Sequence, residues 1–488
     1  MEFQLDTGSA RTIVNESTYK SVLSNCELTG SSTVLKSYTK EVIPLAGECC
    51  VKVEYGGQSI PKLPVLVVKG DQPCLLGRDW LSKIRFDWKA IFHVTQDRID
   101  SLQKEFQDLF EENQNPIRHF NAGIRLKEDC APIFCKARPM PYALKTKVEE
   151  ELGKLQERGV IYPVKHSDWA APIVVVPKAD QSVRICGDYK MTVNRVISEE
   201  QYPLPNTDDM FATLAGGQKF TKLDLRQAYS QVELESESEE CLTVNTHLGL
   251  YRYRRLAYGV SSASAIFQAI MDKILSGLPH VVCRIDDILI TAPDDSSHFE
   301  TLQEVFCRLR EHNITLRKDK CIFMADQVVY MGFLVDKYGI HPTEEKITAI
   351  RDAPRPTCVK ELKAYLGLLN YYGLFLQNFS TVLQPLHHLL QKGKSWSWTE
   401  QCESSFESSK KMITKSKLLV FYDMKKPLRL ACDSSAYGVG AVVSHVMEDG
   451  TERPIAFASK SLSATERNYP HNEREALGIV YGVKKLHK

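Results

Sequence analysis

The sequence predicts a multidomain protein: an all-β region first, a large α+β region next and a smaller α/β region last. Three observations predict it. The chain has 488 residues, about three domains at roughly 100–200 residues each. Hydrophobic residues make up 43% and charged residues 25%, a balance that excludes disorder, collagen or a coiled-coil rod as the main state. The rhythm of strand and helix signals also changes near residues 95, 141 and 396.

Residues 1–95 alternate short apolar strands with turns, as in Cys50–Tyr55 followed by Gly56-Gly57, which reads as a hairpin. Residues 96–140 read as a connector: a short helix over Gln103–Glu112, then an extended stretch punctuated by Pro116, Pro132, Pro139 and Pro141. In residues 141–340, Val148, Leu152 and Leu155 have helical spacing within Lys145–Arg158, which stops at Gly159. Ile173–Val176 and Val183–Cys186 flank a polar turn, Ser262–Leu275 is a helix candidate, and Val281–Ile290 reads as strand, polar turn, strand. Residues 341–395 carry helices over Glu344–Ile350 and Val359–Asn370, separated by Pro354 and Pro356. Residues 396–488 show strands near Leu428–Cys432 and Gly438–Ser444 and a helix over Arg474–Lys485.

Lys plus Arg total 62 and Asp plus Glu total 61. This near-neutrality neither favours nor excludes a nucleic-acid partner, because a binding groove needs local charge. No apolar run approaches the roughly 20 residues that cross a bilayer, and Glu2 and Asp6 follow Met1 closely. The expectation is an intracellular protein without a signal peptide or membrane partner. The 14 cysteines are scattered without a C-x-x-C pair, so free thiols are expected.

Two segments of the first region carry a single candidate catalytic acid. Leu5-Asp6-Thr7-Gly8 suits a tight turn presenting one carboxylate, and Leu75-Leu76-Gly77-Arg78-Asp79 is an apolar strand ending in a charged pair. One carboxylate cannot share a proton with itself, so water activation needs a second copy. A structural turn is the bland alternative. Together the segments resemble retroviral-type aspartic proteases. That resemblance implies Asp6 as the catalytic residue and a homodimer through this domain.

The middle region places acids at strand ends. Phe220–Tyr229 contains Asp224, and Cys283–Ile290 contains the adjacent pair Asp286 and Asp287. Two aspartates inside an apolar run are costly unless solvated or metal-bound, and aspartates are hard oxygen ligands suited to Mg²⁺. A solvated hairpin turn is the competing reading for the pair alone. With their flanks these segments resemble the palm of a reverse transcriptase. Trp169–Lys178 and Arg184–Tyr189 resemble its fingers, Tyr251–Val260 with Ala263–Gln268 its nucleotide pocket, and Tyr330-Met331-Gly332-Phe333 its primer grip. Leu430–Ser435, with Asp433, and Asn472–Leu477, with Glu475, resemble the opening of an RNase H site. The whole is similar to the Pol polyprotein of gypsy-type LTR retrotransposons, in the order retropepsin-like protease, reverse transcriptase, RNase H.

The resemblance implies a right-hand fingers, palm and thumb polymerase. It extends primers with dNTPs on an RNA or DNA template and uses Mg²⁺ or Mn²⁺. Two ions about 3.5–4 Å apart would serve the primer hydroxyl and the leaving pyrophosphate. Asp224, Asp286 and Asp287 are the implied catalytic metal ligands, and Leu225 adds a backbone carbonyl. Tyr229 is the implied gate under the sugar, Tyr258 part of the nucleotide pocket, and Lys178 and Arg184 triphosphate contacts. Asp433 and Glu475 are the implied RNase H metal ligands. Arg252, Arg254 and Arg255 interleave with Tyr251 and Tyr253, a composition suited to nucleic-acid backbone charge and base stacking and equally to a strand with one solvated face.

The sequence departs from that family in four places. Only five residues precede Asp6, so a protease shortened at its N-terminus is expected. Arg284 stands where the family has Tyr in Tyr-x-Asp-Asp, so the metal cage is expected intact and primer placement altered. Ala257 replaces a usual Pro. The sequence stops at Lys488 before the later RNase H acids, so a C-terminally shortened RNase H is expected. The alternative expectation is a decayed or truncated element copy that folds and binds primer–template without catalysis.

Overall fold

The computed structural model describes residues 3–5, 9–36, 42–55, 57–70, 73–86, 88–112, 115–178, 181–198, 202–391, 393–414 and 418–487. The chain divides into two compact units, Met1–Ser101 and Leu102–Lys488.

The first unit holds a five-stranded sheet in the order Gln4–Leu5, Leu75–Leu76, Ile13–Asn15, Gln58–Val68, Leu45–Tyr55. Its long hairpin turns through Gly57, whose φ of +78° suits a residue without a Cβ. Val14, Cys49, Leu63, Val65, Val67 and Trp80 form the core. Asp79 accepts from the Thr12 amide and hydroxyl at 2.9 and 2.8 Å, and the Gly77 amide donates to the Thr12 hydroxyl. A Cβ at Gly77 would collide with the backbone of Arg11, so the Leu75–Asp79 segment needs its glycine for close approach.

The boundary at 95 and the helix over 103–112 require correction. One helix, Trp88–Glu105, runs through that point, followed by a 3₁₀ turn at Gln107–Phe110. No proline or glycine interrupts residues 88–112, so nothing stops the helix earlier. Nor is the rest of 96–140 a free connector. Leu102, Phe106, Leu109, Ile117, Ala122 and Ile124 are buried in the main core of the second unit, and Asn121–Ala122 pairs with Glu233–Leu234.

The second unit is built of mixed sheets and helices. One sheet runs Val183–Gly187, Ala171–Pro177, Thr243–Thr246, Gly249–Tyr253, Ile161–Val164. The next runs Val281–Arg284, Asp287–Ala292, Lys219–Asp224, Ile322–Ala325. Two helices pack with this four-stranded sheet. Ala263–Ile274 buries Phe267, Ile270, Met271 and Ile274. Asp295–Glu311 starts at Asp294, whose carboxylate accepts from the Ser297 amide, and buries Phe299, Leu302, Val305, Phe306 and Leu309. A three-stranded ladder, Gln327–Tyr330, Phe333–Asp336, Gly339–Pro342, leads to helices including Val359–Tyr371 and Glu400–Thr414.

The last three strands, Leu428–Ser434, Gly438–Val446 and Glu452–Ser461, form an antiparallel sheet covered by helix His471–Leu486. The sequence reading missed Glu452–Ser461, because Pro454 argues against a strand interior. A register shift opposite it, between Val443 and Ser444, absorbs the irregularity. Leu428–Ser434 extends the strand expected near Leu428–Cys432 by two residues. It is an edge strand with Leu428 and Leu430 exposed at 49% and 36%.

Candidate active site

Backbone register brings the three middle-region acids to one strand end. Asp224 is the last residue of Lys219–Asp224, and its ladder partner is Asp287, the first residue of Asp287–Ala292. Asp287 also faces Arg284 across the hairpin, so Ile285 and Asp286 form a two-residue turn at the tip. The Leu225 amide donates to the Asp286 carbonyl at 3.0 Å, and the Arg317 amide to the Asp224 carbonyl at 2.8 Å. The Leu225 side chain is buried.

The turn is strained, since Ile285 has a φ of +56°, an unfavourable region for a β-branched residue. Gln268 holds it. Its Oε1 accepts from the Ile285 amide at 2.8 Å, and its Nε2 donates to the Cys283 carbonyl at 2.9 Å. Gln268 is fully buried, and the sequence reading gave it no role of its own. A glutamine between Phe267 and Ile270 on a buried helix face was the available signal.

Electrostatics at the tip are those of excess negative charge. Burial, then the charges of Asp287 and Asp224, push the Asp286 carboxyl above its usual range, against a backbone hydrogen bond. Lys222 Nζ lies 3.2 Å from Asp287 and 3.4 Å from the Val329 carbonyl, and Lys320 Nζ lies 3.4 Å from Asp224. Among the described residues no three His, Cys, Asp or Glu side chains form a preformed ion cage. The donor set nevertheless suits a hard divalent cation: three carboxylates on fixed backbone, two already drawing lysine ammonium groups. The sequence reading gave neither lysine a role, because the pairing depends on tertiary register.

Lys178, Arg184 and Tyr258 share the lining of a cavity of about 390 Å³ with Arg226, Arg317 and Asp319. The Arg184 guanidinium lies 5.0 Å from the Tyr258 ring centroid, within cation–π range. Tyr258 packs on Tyr229, ring centroids 5.0 Å apart, and the Tyr229 hydroxyl lies 2.8 Å from Ser264 Oγ. Burial pushes the Tyr258 phenol up to about 12 and raises that of Tyr229.

The other predicted acids are placed differently. Asp6 lies outside the described residues. Asp433 is exposed, with Gly440 as its ladder partner. Glu475 accepts from Ser434 Oγ at 2.5 Å, and His471 Nε2 is 3.8 Å away.

Residues 176–335 match the reverse transcriptase (RNA-dependent DNA polymerase) family, and residues 398–488 match the RNase H-like domain found in reverse transcriptase. An uncharacterized Caenorhabditis elegans protein is 34% identical over 388 residues, covering 77% of this chain and 30% of that protein. The retrovirus-related Pol polyprotein from transposon opus of Drosophila melanogaster is 32% identical over 415 residues, covering 80% and 41%. Transposon Tf2-3 polyprotein of Schizosaccharomyces pombe is 29% identical over 398 residues, covering 80% and 30%. The chain therefore spans well under half the length of these relatives.

Among solved structures, the foamy viral protease-reverse transcriptase in complex with double-stranded DNA aligns with a TM-score of 0.75 at 20% identity. The alignment covers 100% of this chain and 88% of that one. The same viral protein in complex with an RNA/DNA hybrid aligns at 0.72 and 20%, covering 99% and 67%. The chain thus carries a reverse transcriptase segment followed by an RNase H-like segment, and 80% of it is similar to retrotransposon Pol polyproteins.

Proposed function

We propose that this protein is an RNA-directed DNA polymerase that transfers nucleotides from dNTPs to a primer 3′-hydroxyl on an RNA or DNA template. The observation that carries the reading is the ladder pairing of Asp224 with Asp287, with Asp286 in the turn beside them. In this reading the four-stranded sheet is the palm, the Ala171–Gly187 hairpin belongs to the fingers, and residues 341–395 are the thumb. The first unit, Met1–Ser101, takes the retropepsin-like role, with Asp6 as its acid and a homodimer as its working form. Residues 396–488 take the RNase H-like role, with Asp433 and Glu475 as its first two acids.

Asp224, Asp286 and Asp287 would hold Mg²⁺ or Mn²⁺, and Leu225 would offer a backbone carbonyl. Bound there, the ions would supply Lewis-acid stabilisation of phosphoryl and attacking oxygens. The chain's own residues do the rest. Lys178 and Arg184 present cations to a triphosphate along the 390 Å³ cavity. Tyr229, braced by Tyr258 and Ser264, closes the sugar side and excludes a ribose 2′-hydroxyl. The foamy viral structures hold double-stranded DNA and an RNA/DNA hybrid, duplexes of the kinds this reading requires as template and primer.

Primer extension on poly(rA)/oligo(dT) with Mg²⁺ or Mn²⁺ tests the reading. Metal-dependent dNTP incorporation that disappears in Asp224→Asn is the expected result. A parent chain that adds no nucleotide, or an Asp224→Asn chain that extends equally well, overturns it.

A further inference from the structure

Arg284 occupies an unusual position. It ends the strand Val281–Arg284 and closes the acidic hairpin opposite Asp287. Its side chain is partly buried, yet its contacts are weak for a charged group. Nη1 lies 3.4 Å from Thr207 Oγ1 and 3.9 Å from Met331 Sδ. Among the described residues no carboxylate lies within the 4.0 Å of an ion pair with it, although Asp208 and Asp209 line the same cavity of about 670 Å³. A guanidinium carries five N–H donors, and a hydroxyl and a thioether leave most of them for another partner.

The neighbours say where that partner comes from. The Met331-Gly332 turn has φ values of +49° and +74°. Its carbonyls are fixed by the hydroxyls of Tyr371 and Tyr372. The Tyr330 hydroxyl donates to the Asp287 carbonyl at 3.3 Å, tying this turn's hairpin to the acidic one. Arg284 therefore stands between two mutually braced hairpins, beside the carboxylates and facing the cavity. A strand whose 3′-hydroxyl meets those carboxylates carries its last phosphodiester on the same sugar, one anion fixed close to the strand end. Guanidinium is the side chain best matched to such a group.

We infer that Arg284 grips the last phosphodiester of the primer, as a substrate contact made by charge at a position that the sequence comparison above expected to impair primer placement. The inference rests on the polymerase reading for the identity of the bound strand. The substitution of arginine for an aromatic ring then changes how the primer end is held rather than removing the hold.

A binding cycle tests it. Primer–template Kd is measured by fluorescence anisotropy for the parent, Arg284→Met and Arg284→Lys. Each is tested with a native primer and with one whose last diester is a neutral methylphosphonate. The expected result is about a tenfold or greater loss for the parent on the neutral primer. Arg284→Met loses as much on the native primer and nothing further on the neutral one, while Arg284→Lys recovers part of the loss. The slope of log K against log salt falls by about one unit in Arg284→Met. Penalties that simply add, or an unchanged Kd in Arg284→Met, overturn the inference. So does a loss confined to melting temperature. Extension assays run alongside separate the two readings, since a parent that binds but never extends rejects the polymerase while the cycle still reports on Arg284.

Discussion

The two sets of proposed metal-binding acids differ in what would bring them together. At Asp224, Asp286 and Asp287, main-chain register does it: a ladder pair, a two-residue turn and two backbone hydrogen bonds fix the three Cα positions. At Asp433 and Glu475, side chains must do it. Asp433 faces a glycine across the ladder, and Glu475 comes from a helix and is engaged by Ser434. Convergence set by backbone has the three Cα positions in place, and a cation there has to displace the Lys222 and Lys320 ammonium groups. Convergence set by side chains must first break existing hydrogen bonds.

The sharpest way to break this contrast is to neutralise one acid at each place. Asp286→Asn is expected to lower primer extension by on the order of 10²–10³-fold, the range for removing one preorganised electrostatic group. Asp433→Asn should leave extension unchanged. Steady-state incorporation rates check both. Equal losses would mean that the two sites act as one, and no loss in Asp286→Asn would mean that its position beside Asp224 serves structure alone.

The same contrast governs what was legible in the sequence. The acidic hairpin could be read locally, because apolar runs flank a polar pair and the period is short. So could Ile173–Val176 with Val183–Cys186, which lies inside the observed antiparallel pair. The partnership of Asp224 with Asp287 needed the family resemblance, since nothing local states which strands pair. Lys222, Lys320 and Gln268 escaped notice because their roles exist only in the folded sheet. The helix Trp88–Glu105 escaped because prolines after residue 115 suggested a connector, while buried Ile99 and Leu102, three residues apart, supplied a core face at helical spacing.

Acid offers a second, smaller perturbation that acts on one sheet. His298 is fully buried beneath the acidic strand, its Nε2 2.8 Å from Thr221 Oγ1. Burial holds its pKa down at about 4, with Asp295 opposing that shift, against about 6.5 in an unfolded chain. The unfolded chain therefore takes up a proton between these values before the folded one does. Stability on this account is full above about pH 6.5, falls as pH falls, and is lost through about pH 4. The cost is ~3 kcal/mol at most. Hydrogen-exchange protection across Lys219–Asp224 should drop between pH 7 and 5 in the parent and change less in His298→Gln. Protection across Leu428–Ser434 should be the same in both proteins. Matching losses in both strands would contradict the local origin.

The smallest effect tests whether Glu475 is held back by its own hydrogen bond. The Ser434 hydroxyl donates to Glu475 at 2.5 Å, and a typical bond of this kind contributes about 0.5–1.5 kcal/mol net. A cation shared by Asp433 and Glu475 competes with that bond for the Glu475 carboxylate. Ser434→Ala removes the competitor and leaves the helix and strand in place. Mn²⁺ binding at this site, followed by paramagnetic broadening of resonances around Asp433, should strengthen by about three- to tenfold, the equivalent of that hydrogen bond. Binding at Asp224, Asp286 and Asp287 should not change, since the Ser434 hydroxyl is bonded at Glu475 and their own competitors, Lys222 and Lys320, are untouched. Unchanged broadening near Asp433 would place the obstacle in the backbone instead: strand Leu428–Ser434 then presents Asp433 where no rotation of Glu475 can join it.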